Sequence, residues 1–268
     1  PAPRPHEDAG GRAGRLLLVL WACAATLTAL MLAYRGPAAG PEAPAALDAF
    51  WSDLASPDEQ TTLIFPHSKF LAKPGGLEFI SDASVAPEVL NDLYTGIGEV
   101  YGASALAGMF AEYWQPIRVK CGKFLTWDDA RRQNLVFVGG PDVHLQLGQL
   151  PELERFRFAS SVLEDARADP AAPLRYGNSG RPFSYDHAVI GRIRLGSGRT
   201  MLVLAGTMTL GTQAAVDFVT REDTVRLLLD ALESPPPGPV PEFEALLRVD
   251  ITGGAPMHSR ILAVHIRK

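Results

Sequence analysis

The stretch Asn134–Asp142 (NLVFVGGPD) limits the fold more than any other part of the chain. Leu135 to Val138 are four consecutive apolar residues, two β-branched and one aromatic. Such a run reads as a strand buried on both faces, as in a sheet covered on each side. Gly139, Gly140 and Pro141 stop it, and Val143 to Leu150 reads as a short helix. A buried strand that turns through glycine into a helix is where open α/β sheets place their ligands. The pattern recurs where Met201 to Ala205 runs into Gly206 to Thr212 (GTMTLGT). Two such loops on one sheet imply a crevice lined by glycine turns.

The remaining elements follow from periodicity and punctuation. Leu47 to Leu54 reads as a short helix, and Thr61 to Phe65 as a first core strand ended by Pro66, with His67, Ser68 and Lys69 beyond it. Leu77 to Ser81 suits a short strand, and Pro87 opens a helix to Thr95. Leu106, Met109, Phe110 and Tyr113 fall at helical spacing within a helix expected over Ala103 to Trp114. Thr126 and Asp129 form a capping-box pattern for a third helix. Arg155 to Ala159 reads as a strand, and Asp165 to Arg181 as a long polar loop. Tyr185 to Leu195 and Thr200 to Ala205 make a hairpin around Gly196-Ser197-Gly198. Thr212 to Val219 and Thr220 to Leu232 are helical, and Leu246 to Thr252 with Ile261 to Ile266 close the chain as strands. Strands and helices interleave, so residues 47–268 read as one α/β domain with a mixed, mainly parallel sheet flanked by helices.

A membrane span is expected before that domain. Leu16 to Tyr34 is an uncharged run of about 19 residues, long enough to cross a bilayer as a helix. Arg4, Arg12 and Arg15 precede it and only Arg35 follows closely, which places residues 1–15 in the cytoplasm as a linker and the domain outside the inner membrane. Residues 35–46, rich in Pro, Ala and Gly, form a spacer.

The net charge of -5 argues against a nucleic-acid-binding surface in this segment. Cys23 and Cys121 are too few and too far apart for a disulfide framework or a metal site. Each glycine loop would set free backbone N–H groups at a helix N-terminus, where a polar or anionic ligand is favoured. Gly139, Gly140, Gly206, Thr207, Thr209 and Thr212 are therefore the candidate ligand-binding residues. Asp142 and His144, just past the first loop, Asp186, which with His187 precedes the hairpin strand, and Lys69, past the first core strand, are further ligand-binding candidates. Arg175, Tyr176, Asn178 and Tyr185, in or beside the long loop, are placed to form a lid or a wall of the pocket. Neither loop carries GK[ST] or GxGxxG, and the chain has no GxSxG, HExxH or CxxC, so no cofactor and no metal are implied. Binding is favoured over catalysis. A hydrolase or transferase acting on a nucleotide or sugar through Asp142, His144 or Asp186 is the competing expectation, and a protein-interaction domain the third. A homodimer is left open.

The linker, the span and an outer domain containing NLVFVGGP, DHAVI and LVLAGTMTLGTQAA resemble bacterial single-pass membrane proteins with an uncharacterised outer α/β domain. Some of those proteins carry a cytoplasmic winged-helix DNA-binding domain before the span. The resemblance implies an extracytoplasmic sensor for a small molecule, coupled to signalling across the membrane.

Overall fold

A computed structural model describes residues 17–28, 41–73, 76–80, 92–140, 153–159, 162–169, 172, 174–235 and 238–267. The chain divides into two units, Pro1–Pro41 and Glu42–Lys268. In the first, residues 17–28 form helix α1, with its side chains exposed. Among the described residues no helix is long and apolar enough to cross a membrane. Residues 29–34 of the expected span lie outside those described.

The second unit is built on a seven-stranded mixed sheet. In chain order its strands are β1 (Thr61–Phe65), β5 (Arg118–Cys121), β6 (Asn134–Val138), β10 (Tyr185–Arg194), β11 (Thr200–Gly206), β12 (Phe243–Thr252) and β13 (Ala255–Ile266). They lie side by side in the order β13-β12-β10-β11-β6-β1-β5. The β5–β1, β1–β6 and β6–β11 pairs are parallel, and the other three pairs are antiparallel. Every residue of β6 is buried, as its unbroken apolar run requires.

Strand alternation sends successive side chains to opposite faces. On one face Val136, Val138, Leu202, Leu204, Ala188 and Ile190 pack beneath four helices. These are α2 (Ala45–Trp51), α3 (Ile97–Tyr113), α5 (Thr209–Thr220) and α6 (Glu222–Ala231). Trp51 donates from its indole to the Val219 carbonyl at 2.8 Å, and Glu222 accepts from the Ala46 and Leu47 amides at the open start of α2. On the other face Leu135, Phe137, Met201, Val203 and Val189 pack against Ala130 of α4 (Trp127–Arg132) and against Leu153, Phe156 and Leu163. Phe156 and Leu163 belong to a small sheet of β7 (Phe156–Ala159), β8 (Val162–Asp165) and β9 (Arg175–Tyr176). A third sheet joins β2 (Ser68–Lys73), β3 (Gly76–Ile80) and β4 (Asp92–Tyr94).

Several local expectations need correcting. The helix expected over Pro87–Thr95 fails where it is described, because Asp92–Tyr94 pairs antiparallel with β2. Helix α3 starts six residues before the expected Ala103, at Ile97. It contains Gly98 and Gly102, which let it lie close to α5: a Cβ on Gly98 would stand 2.0 Å from the Thr209 carbonyl oxygen. The long loop expected over 165–181 instead supplies β9. The capping box on α4 forms as expected, with Thr126 and Asp129 each accepting from the other's backbone.

The polar residues at the amino end of the sheet are tied together. Asp53 accepts from buried Arg192 and from Thr200 Oγ1, and Asn134 bonds the Asp53 carbonyl, Glu59 and the Thr200 amide. This network holds the segment after α2 against β6 and β11.

Candidate functional site

The connections around β1 decide where a ligand crevice belongs. From β1 the chain passes through α3, on the four-helix face, to β5; it then passes through α4, on the opposite face, back across to β6 on the other side of β1. Connections that leave in opposite directions open a crevice at the carboxyl ends of the two strands between them. Here those ends are Phe65–His67 and Val138–Gly140.

Most of the candidate residues that are described do gather on that edge. The β6 chain turns at Gly139, whose φ of +113° is a conformation that favours glycine. Its amide donates to the Leu204 carbonyl at 2.8 Å, which locks the two glycine loops side by side. A Cβ on Gly140 would lie 3.7 Å from the Gly206 carbonyl oxygen and 3.4 Å from the Phe158 ring. Because β10 runs antiparallel to β11, its first residues, Tyr185 to His187, reach the same edge. Lys69 sits in β2 and its side chain lies outside the described residues, as do Asp142 and His144.

The loop Gly206–Thr212 does not offer the free donors expected of it. Helix α5 starts at Thr209, so Thr209 and Thr212 are helical. The Asp186 carboxylate, fully buried, accepts from the Gly211 amide at 2.8 Å, from the His187 amide at 2.8 Å and from Thr207 Oγ1. Thr212 Oγ1 accepts from the Gly206 amide at 3.0 Å, and the Thr207 amide donates to the His187 carbonyl. Thr209 Oγ1 accepts from the Gly98 amide and donates to buried Glu99. The anion favoured at the start of α5 is thus supplied by the chain itself. Burial pushes the Asp186 carboxyl up, against hydrogen bonds from Thr207 and from the His187, Gly211 and Met208 backbone that pull it down.

Asp186 and His187 do not form an acid–base pair. Adjacent strand residues face opposite sides of a sheet, so Asp186 meets α5 while the His187 imidazole meets the small sheet. There Nδ1 bonds the Gly177 carbonyl, and the rings of Tyr176 and Tyr185 stand edge-on at 5.5 and 5.7 Å. Of the four residues expected to line the pocket, Tyr176 and Tyr185 are thus brought together around His187. Phe158 pairs with Leu163, which pairs with Tyr176, so one row of the small sheet runs from Gly140 to His187. That row crosses two strand spacings, roughly 9.6 Å, as does the path from β6 to β10. Phe158 and Gly177 carry no sequence signal for this role.

Burial holds the His187 imidazole below its ordinary value; the Gly177 carbonyl opposes this and the Arg248 charge reinforces it. A native-state value below the unfolded one means that the unfolded chain takes up the proton first. The stability owed to neutral His187 is therefore complete above 6.5 and is lost as pH falls through the folded value. Between pH 7 and 5 the thermal midpoint should fall more steeply in the wild type than in His187→Phe; parallel slopes would show that the imidazole contributes nothing.

A concavity of about 610 Å³ lies at the opposite end of the sheet between Leu54–Thr61 and Gln115–Arg118, with Phe110 on its apolar wall. None of the expected site residues whose side chains are described reaches it. Lys120, which flanks Cys121, pairs with Asp129 at 2.9 Å. Among the described residues no cluster of His, Cys, Asp and Glu could hold a metal ion. Comparison with known proteins finds no family model, curated protein or solved structure that matches this chain.

Proposed function

We propose that residues 42–268 bind a small, uncharged polar molecule at the carboxyl edge of the sheet. The observation that carries this reading is the change of direction between β1 and β6, beside the paired glycine turns; such a switch point is where parallel sheets place their ligands. Gly139, Gly140, Gly206 and Thr207 form the floor of the site, and Phe158 and Tyr176 its wall. Asp186 already takes up the Gly211 amide at the start of α5 and the Thr209 hydroxyl takes the Gly98 amide of α3, so neither helix start keeps those donors for an anion, which favours a neutral ligand. The apolar run Leu16–Tyr34 and the arginines before it support a further step: this unit is a sensor held outside a bacterial inner membrane.

A thermal-shift panel on the full chain tests the binding reading. Monosaccharides, neutral amino acids and nucleosides are set against phosphate and nucleotides. A neutral compound at 100 times its Kd should add about 2.7 kcal/mol, which is roughly 5–10 °C for a domain of this size. Stabilisation by phosphate or nucleotides alone would contradict the neutral-ligand reading, and a flat panel would contradict binding.

A further inference from the structure

We infer that His187 receives a hydroxyl group of the bound molecule through Nε2, which makes a polyhydroxy compound, a sugar or simpler polyol, the ligand class of the carboxyl-edge site. The inference rests on the binding reading above and adds the chemistry of recognition to it.

The ring's two nitrogens have different tasks. Nδ1 faces the Gly177 carbonyl, which can only accept, so in the neutral ring Nδ1 carries the hydrogen and Nε2 is left with a lone pair. That lone pair has no hydrogen-bond partner among the described residues. A buried imidazole with one nitrogen anchored and the other unpartnered is a fixed acceptor. It asks for a donor from outside the protein.

The surroundings choose among donors. Arg248 of β12 lies over the Tyr185 ring at 4.2 Å and its charge opposes protonation of His187, so it also disfavours an ammonium ligand. Asp250, on the same strand, is paired with Arg248 at 3.3 Å, and the Asp186 carboxylate points away into α5. Tyr176 of β9 and Tyr185 complete the groups around the ring. A neutral hydroxyl meets no charge penalty here. The aromatic surface of Tyr176, Tyr185 and Phe158 suits the C–H faces of a sugar, a body that is apolar on its flat sides and polar at its rim.

The full 268-residue chain, ¹⁵N-labelled at its six histidines, tests this by nuclear magnetic resonance with D-glucose, D-galactose, glycerol and myo-inositol as probes. His187 is identified by its through-space contacts to the Tyr176 and Tyr185 rings and by the signal lost in His187→Phe. In the free protein Nδ1 should be protonated and Nε2 bare. A probe that raises the thermal midpoint should move the Nε2 resonance, and His187→Phe should bind that probe roughly tenfold more weakly, as expected for one lost hydrogen bond. An Nε2-protonated tautomer overturns the inference even if the variant does not fold. So does a probe that stabilises the protein without moving Nε2, and in that case the binding site itself stands. Stabilisation by neutral amino acids or nucleosides but by no polyol overturns the ligand class alone. A panel in which nothing stabilises overturns the binding reading with it.

Discussion

Replacing Glu244 by alanine should lower the stability of the folded unit by about 4 kcal/mol, since three backbone amides lose their acceptor at roughly 1–3 kcal/mol each. Glu244 is fully buried on β12, on the face that carries the small sheet. Its two oxygens accept from three successive backbone amides, those of Glu154, Arg155 and Phe156, and from Arg267 at 3.0 Å. The segment 154–156 leads straight into β7, so these bonds fix where Phe158 stands. Alanine would leave the three amides short of an acceptor, each a costly omission. The thermal midpoint should fall by roughly 10 °C. Ligand binding should weaken as well, because the wall beside Gly140 loses its mooring. Glu244→Gln keeps one acceptor oxygen and should lose about half as much. A Glu244→Ala midpoint within two or so degrees of wild type would show that the segment is held by its apolar contacts alone.

The second large effect is expected at Asp186. Asp186→Ala should cost about 3 kcal/mol, since it removes the carboxylate that caps α5 from a neighbouring strand and leaves the Gly211 amide unpaired. Thr207→Val removes one of the same hydrogen bonds and should cost about 1 kcal/mol. In urea unfolding the double variant should be scarcely worse than Asp186→Ala, because the Thr207 hydroxyl has no second role there. Additive losses would mean that Thr207 contributes independently of Asp186.

The contrast between these residues explains how much could be read in advance. The strands Thr61–Phe65 and Asn134–Val138 form where their apolar runs end, because burial on both faces leaves no alternative register. The α4 start was legible because a capping box is local: Thr126 and Asp129 are three residues apart. The early turns of α3 were hidden because Ile97, Val100 and Tyr101 are exposed, so the apolar period begins only later. The strands β8 and β9 are short and half polar, and are held mainly by pairing with each other and with β7.

The site was legible in its backbone and obscure in its side chains. Gly139 and Gly206 announced their turns. Nothing near Gly206 in the sequence announced Asp186, which lies 25 residues before Gly211 and fills the helix start. The alternation in Tyr185-Asp186-His187-Ala188 does carry the missing signal. It sends Asp186 with Ala188 and Ile190 toward the helices, and His187 with Val189 toward the small sheet. Two residues that look like a catalytic pair in the chain are thereby separated by the thickness of the sheet.

The most direct measurement of the account is the ligand-induced thermal shift of wild type and Gly140→Leu, compared side by side with the best neutral compound of the panel. Gly140 lies between Phe158 and the Gly206 carbonyl with room for a Cβ, so a leucine there should project into the proposed crevice. The account predicts a shift of several degrees in the wild type and almost none in the variant, with ligand-free midpoints close together. An equal shift in both proteins would place the ligand elsewhere, and the concavity at the amino end of the sheet would take the place of the carboxyl edge.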